Sequence, residues 1–233
     1  MEPEELIDAL DPCIAACIDL GIANYSATAR LLATHAEQLG ARLSEAAAKM
    51  RLLRWKDRER RKSCHGLTCD PLLHLLASTR VELREGVAVL SVEKASFPRL
   101  EKLIPKLMVE ARLLHILQSI NAITIIIDEE HLEELRTSIG EPLEELRGQA
   151  AIILVSPREI LDTPGFTAYI TSLLAVNNVN ITQVVSCYTD TTIIVSAQDA
   201  QKTYQLITRA INLARMLTKA RKQHPDKHQA PHA

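Results

Sequence analysis

The sequence predicts an α+β fold in which a helical N-terminal domain precedes two copies of a strand–helix–strand–strand–helix unit. Apolar residues recur at helical spacing up to residue 62, whereas short apolar strands alternate with amphipathic helices from residue 80 onward. The two copies match each other at a period of about 65 residues, because residues 89–91 match 154–156 and residues 124–130 match 192–198.

The domain boundaries follow these changes of pattern. They predict a helical domain at residues 1–62, a linker at 63–79, a first module at 80–148, a second module at 149–218 and a disordered tail at 219–233. The tail is polar and contains prolines, which is typical of segments that form no packed core.

The composition is that of an ordinary globular protein, with 47% hydrophobic and 24% charged residues and a formal net charge of −2. An aromatic content of 3% argues against a stacking platform for single-stranded nucleic acid. No apolar run approaches the roughly 20 residues that span a bilayer, and the acidic start differs from a basic signal peptide. We therefore expect a cytoplasmic protein without a membrane partner, and we expect its five cysteines to be reduced.

Three short helices are expected in the N-terminal domain, with Asn24 capping the second and Ser44 capping the third. Glycine-containing turns between them indicate a helix-turn-helix-like arrangement with the third helix in the recognition position. Between Arg42 and Lys62, nine Lys or Arg residues oppose three acidic residues, which is typical of a phosphate-facing surface. A solvated helix that leads into a basic linker is the alternative. The candidate DNA-binding residues are Arg42, Lys49, Arg51, Arg54, Lys56 and Arg58.

The linker is expected to end in a short helix at residues 72–77. Four residues in and near the linker are of the types that bind zinc: Cys64, His65, Cys69 and His74. Zinc knuckles place two cysteines about two to four residues apart and repeat the pattern, and no second pair occurs here. A loop without metal is therefore expected.

The elements of the two modules follow from apolar runs and turn residues. The first module has predicted strands at 81–85 and 87–92 around a turn at 85–86, a helix at 97–108, strands at 113–118 and 122–128, a helix at 129–138 and a charged connector at 140–148. The second has a strand at 151–156, a helix at 165–177, strands at 180–188 and 191–196 and a helix at 199–220. Neither module shows a fourth strand. Residues 81–85 or a twin subunit are expected to cover the open edges, which predicts side-by-side sheets and a homodimer.

Three segments of the second module carry a resemblance: SPREILDTPGFTAYI at 156–170, NNVNITQVVS at 177–186 and TTIIV at 191–195. They resemble the ACT domain, the small-molecule-sensing module attached to aspartokinases and other amino-acid-pathway proteins. With INAITIIID at 120–128 as a diverged copy, residues 80–218 resemble the paired ACT modules at the end of an aspartokinase. The segment GIANYSATAR at 21–30 is similar to the front end of archaeal ACT proteins. The resemblance implies ferredoxin-like modules with antiparallel sheets and a regulatory function.

The loop after the first strand of the second module is the candidate ligand site. A Pro-Gly pair there permits close approach of the backbone to a ligand, and free N–H groups at the start of the next helix suit a carboxylate. In ACT proteins the effector lies between this loop and the second strand of a partner module. The resemblance thus implies the ligand-binding residues Asp162, Thr163, Pro164, Gly165, Phe166, Thr167, Asn178, Asn180 and Gln183.

An alternative is that residues 163–165 only form the turn that the fold requires and that Asn180 caps a turn. The corresponding residues 96–99 of the first module contain no glycine, so we expect binding at the second module.

No enzyme, cofactor or metal site is expected. The sequence contains neither a phosphate-binding glycine loop nor a G-x-S-x-G motif. Cys187 falls in a predicted strand and is interpreted as a buried thiol. Glu-Glu pairs at 129–130, 133–134 and 144–145 are interpreted as solvated faces.

Two functions stay open. In the first, a non-catalytic regulatory protein binds an amino acid or related small metabolite, forms a homodimer through its ACT modules and contacts DNA through its helical domain. In the second, an assembly subunit without a ligand regulates a separate enzyme by contact. Salt-sensitive DNA binding would favour the first function, and a ligand response without DNA affinity would favour the second.

Overall fold

A computed structural model describes residues 12–59 and 69–223 of the chain. The chain divides into two compact units, residues 1–69 and 70–233, and the division falls inside the predicted linker. The described part is a mixed fold of helices and antiparallel strands, as the sequence predicts, and its strands form one sheet where two side-by-side sheets were expected. The segment 224–233, where a disordered tail is predicted, lies outside the described residues.

The first unit contains three helices in its described part. They are α1 (Pro12–Asp19), α2 (Tyr25–Gln38) and α3 (Glu45–Glu59). Both predicted N-caps are present: Oδ1 of Asn24 accepts from the Ala27 amide at 3.1 Å, and Oγ of Ser44 accepts from the Ala47 amide at 3.2 Å. The helices enclose a small apolar core of Ile18, Ala29, Leu32, Ala48 and Leu52.

The end of the predicted linker is a folded part of the second unit. Helix α4 (Asp70–Ser78) contains the predicted helix at 72–77 and extends it on both sides. The guanidinium of Arg215 donates to the carbonyl oxygens of Ala77 at 2.9 Å and Thr79 at 3.1 Å. The helix also buries four leucines, so this segment packs as a structural element: Leu72, Leu73, Leu75 and Leu76.

All strands described in the second unit belong to one sheet, in the order β2-β3-β1-β4-β6-β5, and every neighbouring pair is antiparallel. The strands are β1 (Arg80–Glu93), β2 (Leu114–Gln118), β3 (Ala122–Asp128), β4 (Glu144–Val155), β5 (Gln183–Cys187) and β6 (Asp190–Ser196). The further helices are α5 (Phe97–Glu101), α6 (Ile104–Glu110), α7 (Leu132–Ile139), α8 (Phe166–Ala175) and α9 (Ala197–Gln223). The order strand–helix–strand–strand–helix therefore occurs twice along the described chain.

Strand β1 continues through the residue pair that the sequence predicts as a tight turn. Gly86 has a φ of +70° and lies at a register shift between Glu85 and Val87, so it forms a β-bulge and the turn prediction is wrong. Strand β4 contains a similar residue, Gly148, with a φ of +62°. The segment 144–148 thus belongs to this strand and not to a connector.

The N-terminal part of β1 pairs with β4 and so covers the edge of the second half of the sheet, which was one of the two expected ways to close it. Residues 80–85 pair antiparallel with residues 150–155 of β4. The sheet is therefore continuous across the two halves of the unit. This pairing also places the residues that precede β1 beside those that follow β4.

Apolar side chains are buried on both faces of the sheet, because successive strand residues point to opposite faces. One face packs against the helices of the first half through Leu90, Ile125, Leu100, Leu107 and Leu132, among others. The opposite face buries a second cluster that includes Val87, Val89, Ile126, Ala151 and Ile194. No helix in the described residues has the length and hydropathy needed to span a bilayer.

The cysteines correct two predictions. Cys69 is disulfide-bonded, so the expectation of reduced thiols is wrong at this position. Cys187 is free but exposed, because it ends the edge strand β5, and the prediction of a buried thiol is wrong. Cys64 and His65 lie outside the described residues, so the metal-free linker loop stays a prediction.

Candidate ligand-binding site

The loop between β4 and α8 has a defined backbone course. A 3₁₀ turn at Arg158–Leu161 leads to Asp162, and the Thr163 hydroxyl donates to the carbonyl oxygen of Glu159 at 2.7 Å. Gly165 then adopts a φ of +91°, a left-handed conformation that glycine tolerates without strain. Because no side chain caps α8, the amides of its first turn are left for solvent or a ligand.

A cavity of about 300 Å³ lies between this loop and helix α4. That volume is at the small end of the range for small-molecule sites, about 300–1,000 Å³. Both walls belong to the second unit, and one predicted ligand-binding residue, Thr163, lines the cavity. The lining residues are Pro71, His74, Leu75 and Ser78 from α4, with Pro157, Glu159 and Thr163 from the loop.

A buried pair of hydroxyl groups fixes helix α4 to the start of the loop. Oγ1 of Thr79 donates to the carbonyl oxygen of Leu75 at 2.8 Å and lies 3.0 Å from Oγ of Ser156. Since a threonine hydroxyl has one proton, Ser156 is the donor of the second bond. The two elements that form the walls of the cavity are therefore joined by hydrogen bonds and by the strand pair Arg80–Val155.

The lining of the cavity combines apolar and polar groups. Pro71, Leu75 and Pro157 offer an apolar surface, while the Glu159 carboxylate and the His74 imidazole offer polar groups for a bound molecule. The proton of the Thr163 hydroxyl is already engaged, because the hydroxyl donates to a backbone carbonyl. The arrangement is suited to binding a small molecule that carries a cationic or hydrogen-bonding group.

The structure separates the predicted ligand-binding residues into two groups. Residues 162–167 lie in the loop and at the start of α8, beyond the end of β4. Gln183 pairs with Ile194 of β6, and Ile194 pairs with Ala151 of β4. Ala151 lies four residues before the end of β4 at the loop, a distance of about 13 Å along a strand. Residues 178 and 180 precede Gln183 at that far end, so the described chain does not bring the two groups together.

The individual side chains of the predicted set differ in accessibility. Phe166 is 2% exposed and packs in the core, so its side chain is not a free contact for a ligand. Asp162, Pro164, Gly165, Thr167, Asn178 and Asn180 are exposed, and Thr163 and Gln183 are half-buried. Asn178 also has a left-handed φ of +54° at the end of α8.

Sequence reasoning missed six lining residues of the cavity: Pro71, His74, Leu75, Ser78, Pro157 and Glu159. The four from α4 fell in a segment predicted as a linker. The signal that points to them is the strand at residues 81–85, because its antiparallel pairing with the end of β4 brings the preceding helix to the loop.

The basic residues of the first unit do not share one face of α3. Lys49 and Arg54 are exposed and lie about 140° apart on a helix, and Met50 and Leu53 lie exposed between them. Arg51 is half-buried. Contact with DNA stays a prediction.

The other predicted DNA-binding residues lie at the two ends of α3. Arg42, before α3, is exposed and lines a hollow of about 600 Å³ together with Arg30 and Glu37. The side chains of Lys56 and Arg58 lie outside the described residues.

Comparison with known proteins gives a family match for part of the chain. Residues 144–209 match the ACT domain. The matched segment includes β4, the loop, α8 and both strands that follow, so it contains the loop wall of the cavity. Comparison with curated protein sequences finds no match.

Several solved structures match part of this chain at low sequence identity. The aspartate kinase of Clostridium acetobutylicum is 18% identical, with a TM-score of 0.48 over 56% of this chain and 34% of that chain. The ligand-free regulatory subunit of aspartate kinase from Thermus thermophilus is 15% identical, with a TM-score of 0.44 over 56% of this chain and 95% of that chain. A protein of unknown function from Vibrio cholerae, described as a possible transport protein, is 19% identical, with a TM-score of 0.43 over 63% and 99% of the two chains. This chain thus spans about one third of the Clostridium enzyme.

Proposed function

We propose that this protein is a non-catalytic regulator that binds an amino acid or a related small metabolite in the cavity between α4 and the loop after β4. The observation that carries the proposal is the position of the cavity, since one of its walls is the loop of the segment that matches the ACT domain. The resemblance of this loop to effector-binding loops and the mixed lining of the cavity both support it.

The bound molecule would lie with its apolar part against Leu75 and the two prolines. Its amino group would face the Glu159 carboxylate, because a charged hydrogen bond to a carboxylate is stronger than one between neutral groups. Its remaining polar groups would face His74 and Ser78. A ligand that contacts both walls stabilises the arrangement of α4 and the loop that it binds.

The proposal includes three finer points beyond ligand binding. The two halves of the second unit act as a pair of ACT modules, two copies of the chain associate in the cytoplasm through these modules, and the first unit contacts DNA or a protein partner. If no ligand binds, the same fold serves as an assembly subunit that regulates a separate enzyme. The exposed residues 178 and 180 would then belong to a contact surface.

Thermal unfolding of the full chain with each of the twenty amino acids and with related metabolites tests the proposal. We expect one compound to raise the melting temperature, since a ligand that binds only the native state stabilises it. Glu159→Gln should abolish the shift, whereas the exposed Glu101→Gln, a matched loss of one charge on α5, should retain it.

Other results would contradict the assignment. A shift that Glu159→Gln leaves intact and Asp162→Ala with Asn180→Ala removes would place the ligand at a surface shared with a second module. A folded protein that responds to no compound would favour the assembly function.

A further inference from the structure

Three potential metal ligands come together where helix α6 ends and helix α7 begins. Glu110 is the last residue of α6, His131 immediately precedes α7, and Glu134 lies in the first turn of α7. One ligand atom from each of these residues lies within 4.8 Å of the others. His131 and Glu134 are three residues apart, a spacing that puts both side chains on one side of a helical turn.

One nitrogen of the His131 ring is buried without a hydrogen-bond partner among the described residues. Its side chain is 12% exposed, and Nε2 is buried and makes no hydrogen bond to the described residues. The nearest ion-pair partner, Oε1 of Glu130, is 3.9 Å away, too far for a hydrogen bond. Buried polar atoms of this kind are uncommon, and an ion that is not part of the chain is one standard reason for them.

A cation of the protein already lies between the two carboxylates. Nζ of Lys106 is 2.6 Å from Oε1 of Glu134 and 3.7 Å from Oε2 of Glu110. The lysine side chain is 48% exposed and can turn into solvent, which would leave its two carboxylates free for another cation.

We propose that Glu110, His131 and Glu134 bind a divalent first-row transition-metal ion, which displaces the Lys106 ammonium from the two carboxylates. One imidazole nitrogen and two carboxylate oxygens suit Zn²⁺, Co²⁺ or Mn²⁺, with water completing the coordination, whereas Mg²⁺ and Ca²⁺ favour oxygen ligands alone. The bound ion links α6 to α7. The site does not depend on the cavity beside α4.

A second set of ligands shares His131 but has other partners. Asp128 accepts hydrogen bonds from the amides of Arg112 at 2.8 Å and Leu113 at 3.1 Å. The Arg112 guanidinium lies 4.0 Å from the Asp128 carboxylate and 3.7 Å from the Glu130 carboxylate. Backbone amides hold the Asp128 carboxylate in place, whereas Glu110 and Glu134 share a half-exposed lysine that can turn into solvent, so we assign the ion to the set with Glu110 and Glu134.

The Glu-Glu pairs at 129–130 and 133–134 were interpreted as solvated faces. Glu130 and Glu133 are exposed as expected, whereas Glu129 and Glu134 are half-buried. His131 lies between them in the chain, and the fold adds Glu110 from a different helix.

Titration of the full-length protein with Co²⁺ tests the proposal, followed by visible absorption and by thermal unfolding. Cysteine sites are recognised by a thiolate-to-cobalt charge-transfer band. The titration therefore counts the Co²⁺ ions that bind without producing that band. Glu134→Gln should bind one fewer of these ions and should lose the rise in melting temperature that the ion causes. Glu133→Gln should keep the ion and the rise in melting temperature, because the Glu133 carboxylate pairs with Arg147 at 2.6 Å.

A third variant tests the competition with lysine. Lys106→Met removes the resident cation and should tighten Co²⁺ binding by about fivefold, since two partly exposed ion pairs no longer compete. An unchanged affinity would contradict the displacement of Lys106.

Two results would overturn the site itself. If Glu134→Gln and His131→Gln bind Co²⁺ like the unmodified chain, these residues are not ligands. Loss of the ion in Glu130→Gln, with full binding in Glu134→Gln, would assign it to the other set. Since Glu134 is partly exposed, its replacement is compatible with folding even if the His131 variant does not fold.

Discussion

The hydroxyl pair of Thr79 and Ser156, which joins α4 to the end of β4, gives a prediction with a defined magnitude. Thr79→Val keeps the shape of the side chain but removes the hydroxyl from a residue with 0% exposure. It removes the bond to the Leu75 carbonyl and leaves the Ser156 hydroxyl without its acceptor. A net hydrogen bond contributes about 1 kcal/mol and an unsatisfied buried group costs about 1–3 kcal/mol, so we expect a loss of about 2–3 kcal/mol in the free energy of unfolding.

The assay is urea unfolding of the full chain, followed by far-ultraviolet circular dichroism. Ser156→Ala should cost about 1 kcal/mol, because Thr79 keeps its bond to the helix carbonyl. The double variant should cost less than the sum of the two single losses by about 1 kcal/mol, since the pair acts as a unit. Thr79→Ser, which keeps the hydroxyl, should lose less than Thr79→Val. A loss below about 0.5 kcal/mol for Thr79→Val, or strict additivity, would refute the reasoning.

Two further predictions concern the sheet. Gly86→Ala should lower the free energy of unfolding by about 1–2 kcal/mol, because alanine is strained at the Gly86 φ of +70°. An added Cβ meets no atom within 4 Å, so the loss comes from the backbone and not from a steric clash. The urea midpoints of the two chains measure this loss, and equal midpoints would contradict the prediction. His115 on β2 has a pKa lowered from 6.5 by desolvation, so the unfolded chain takes up the proton first as the pH falls. The stability that neutral His115 contributes is fully present above about pH 6.5, and it is lost as the pH falls toward the lower pKa of the folded state. The midpoint difference between the unmodified chain and His115→Gln should therefore change between about pH 7.5 and about pH 5.5, and a constant difference contradicts the prediction.

The element order of the second unit was predictable from the sequence, because buried strands and amphipathic helices have different periods. Thr124 is the third residue of β3 and Thr192 is the third residue of β6, so residues 124–130 and 192–198 begin at corresponding places in two strands. Thr124 pairs with Ser91 and Thr192 pairs with Ile153, so an equivalence of these two segments would match residues 89–91 with 151–153 and not with 154–156. The repeat itself stays a prediction.

The course of β1 could not be predicted from its own residues. A glycine with a positive φ serves a tight turn and a β-bulge equally well, so the sequence around Gly86 is compatible with both. The long partner strand β4 decides between them, because it pairs with β1 on both sides of Gly86. The choice depends on residues more than 50 positions away in the chain.

The candidate site was only half predictable for the same reason. The turn at Gly165 carries a local signal, and the structure has the left-handed residue that the signal requires. Helix α4 supplies the other wall, and its His74 is separated from Glu159 by 85 positions along the chain. Its place beside the loop follows from strand pairing and from the Thr79–Ser156 contact, which no local pattern shows.

Hydrogen–deuterium exchange of the full chain, with and without the compound that raises its melting temperature most, tests the proposed ligand site directly. Binding in the cavity should slow amide exchange in α4 and in residues 156–167, and Glu159→Gln should remove this protection. Protection confined to residues 178–183, or to the first unit, would contradict the assignment of the cavity as the ligand site.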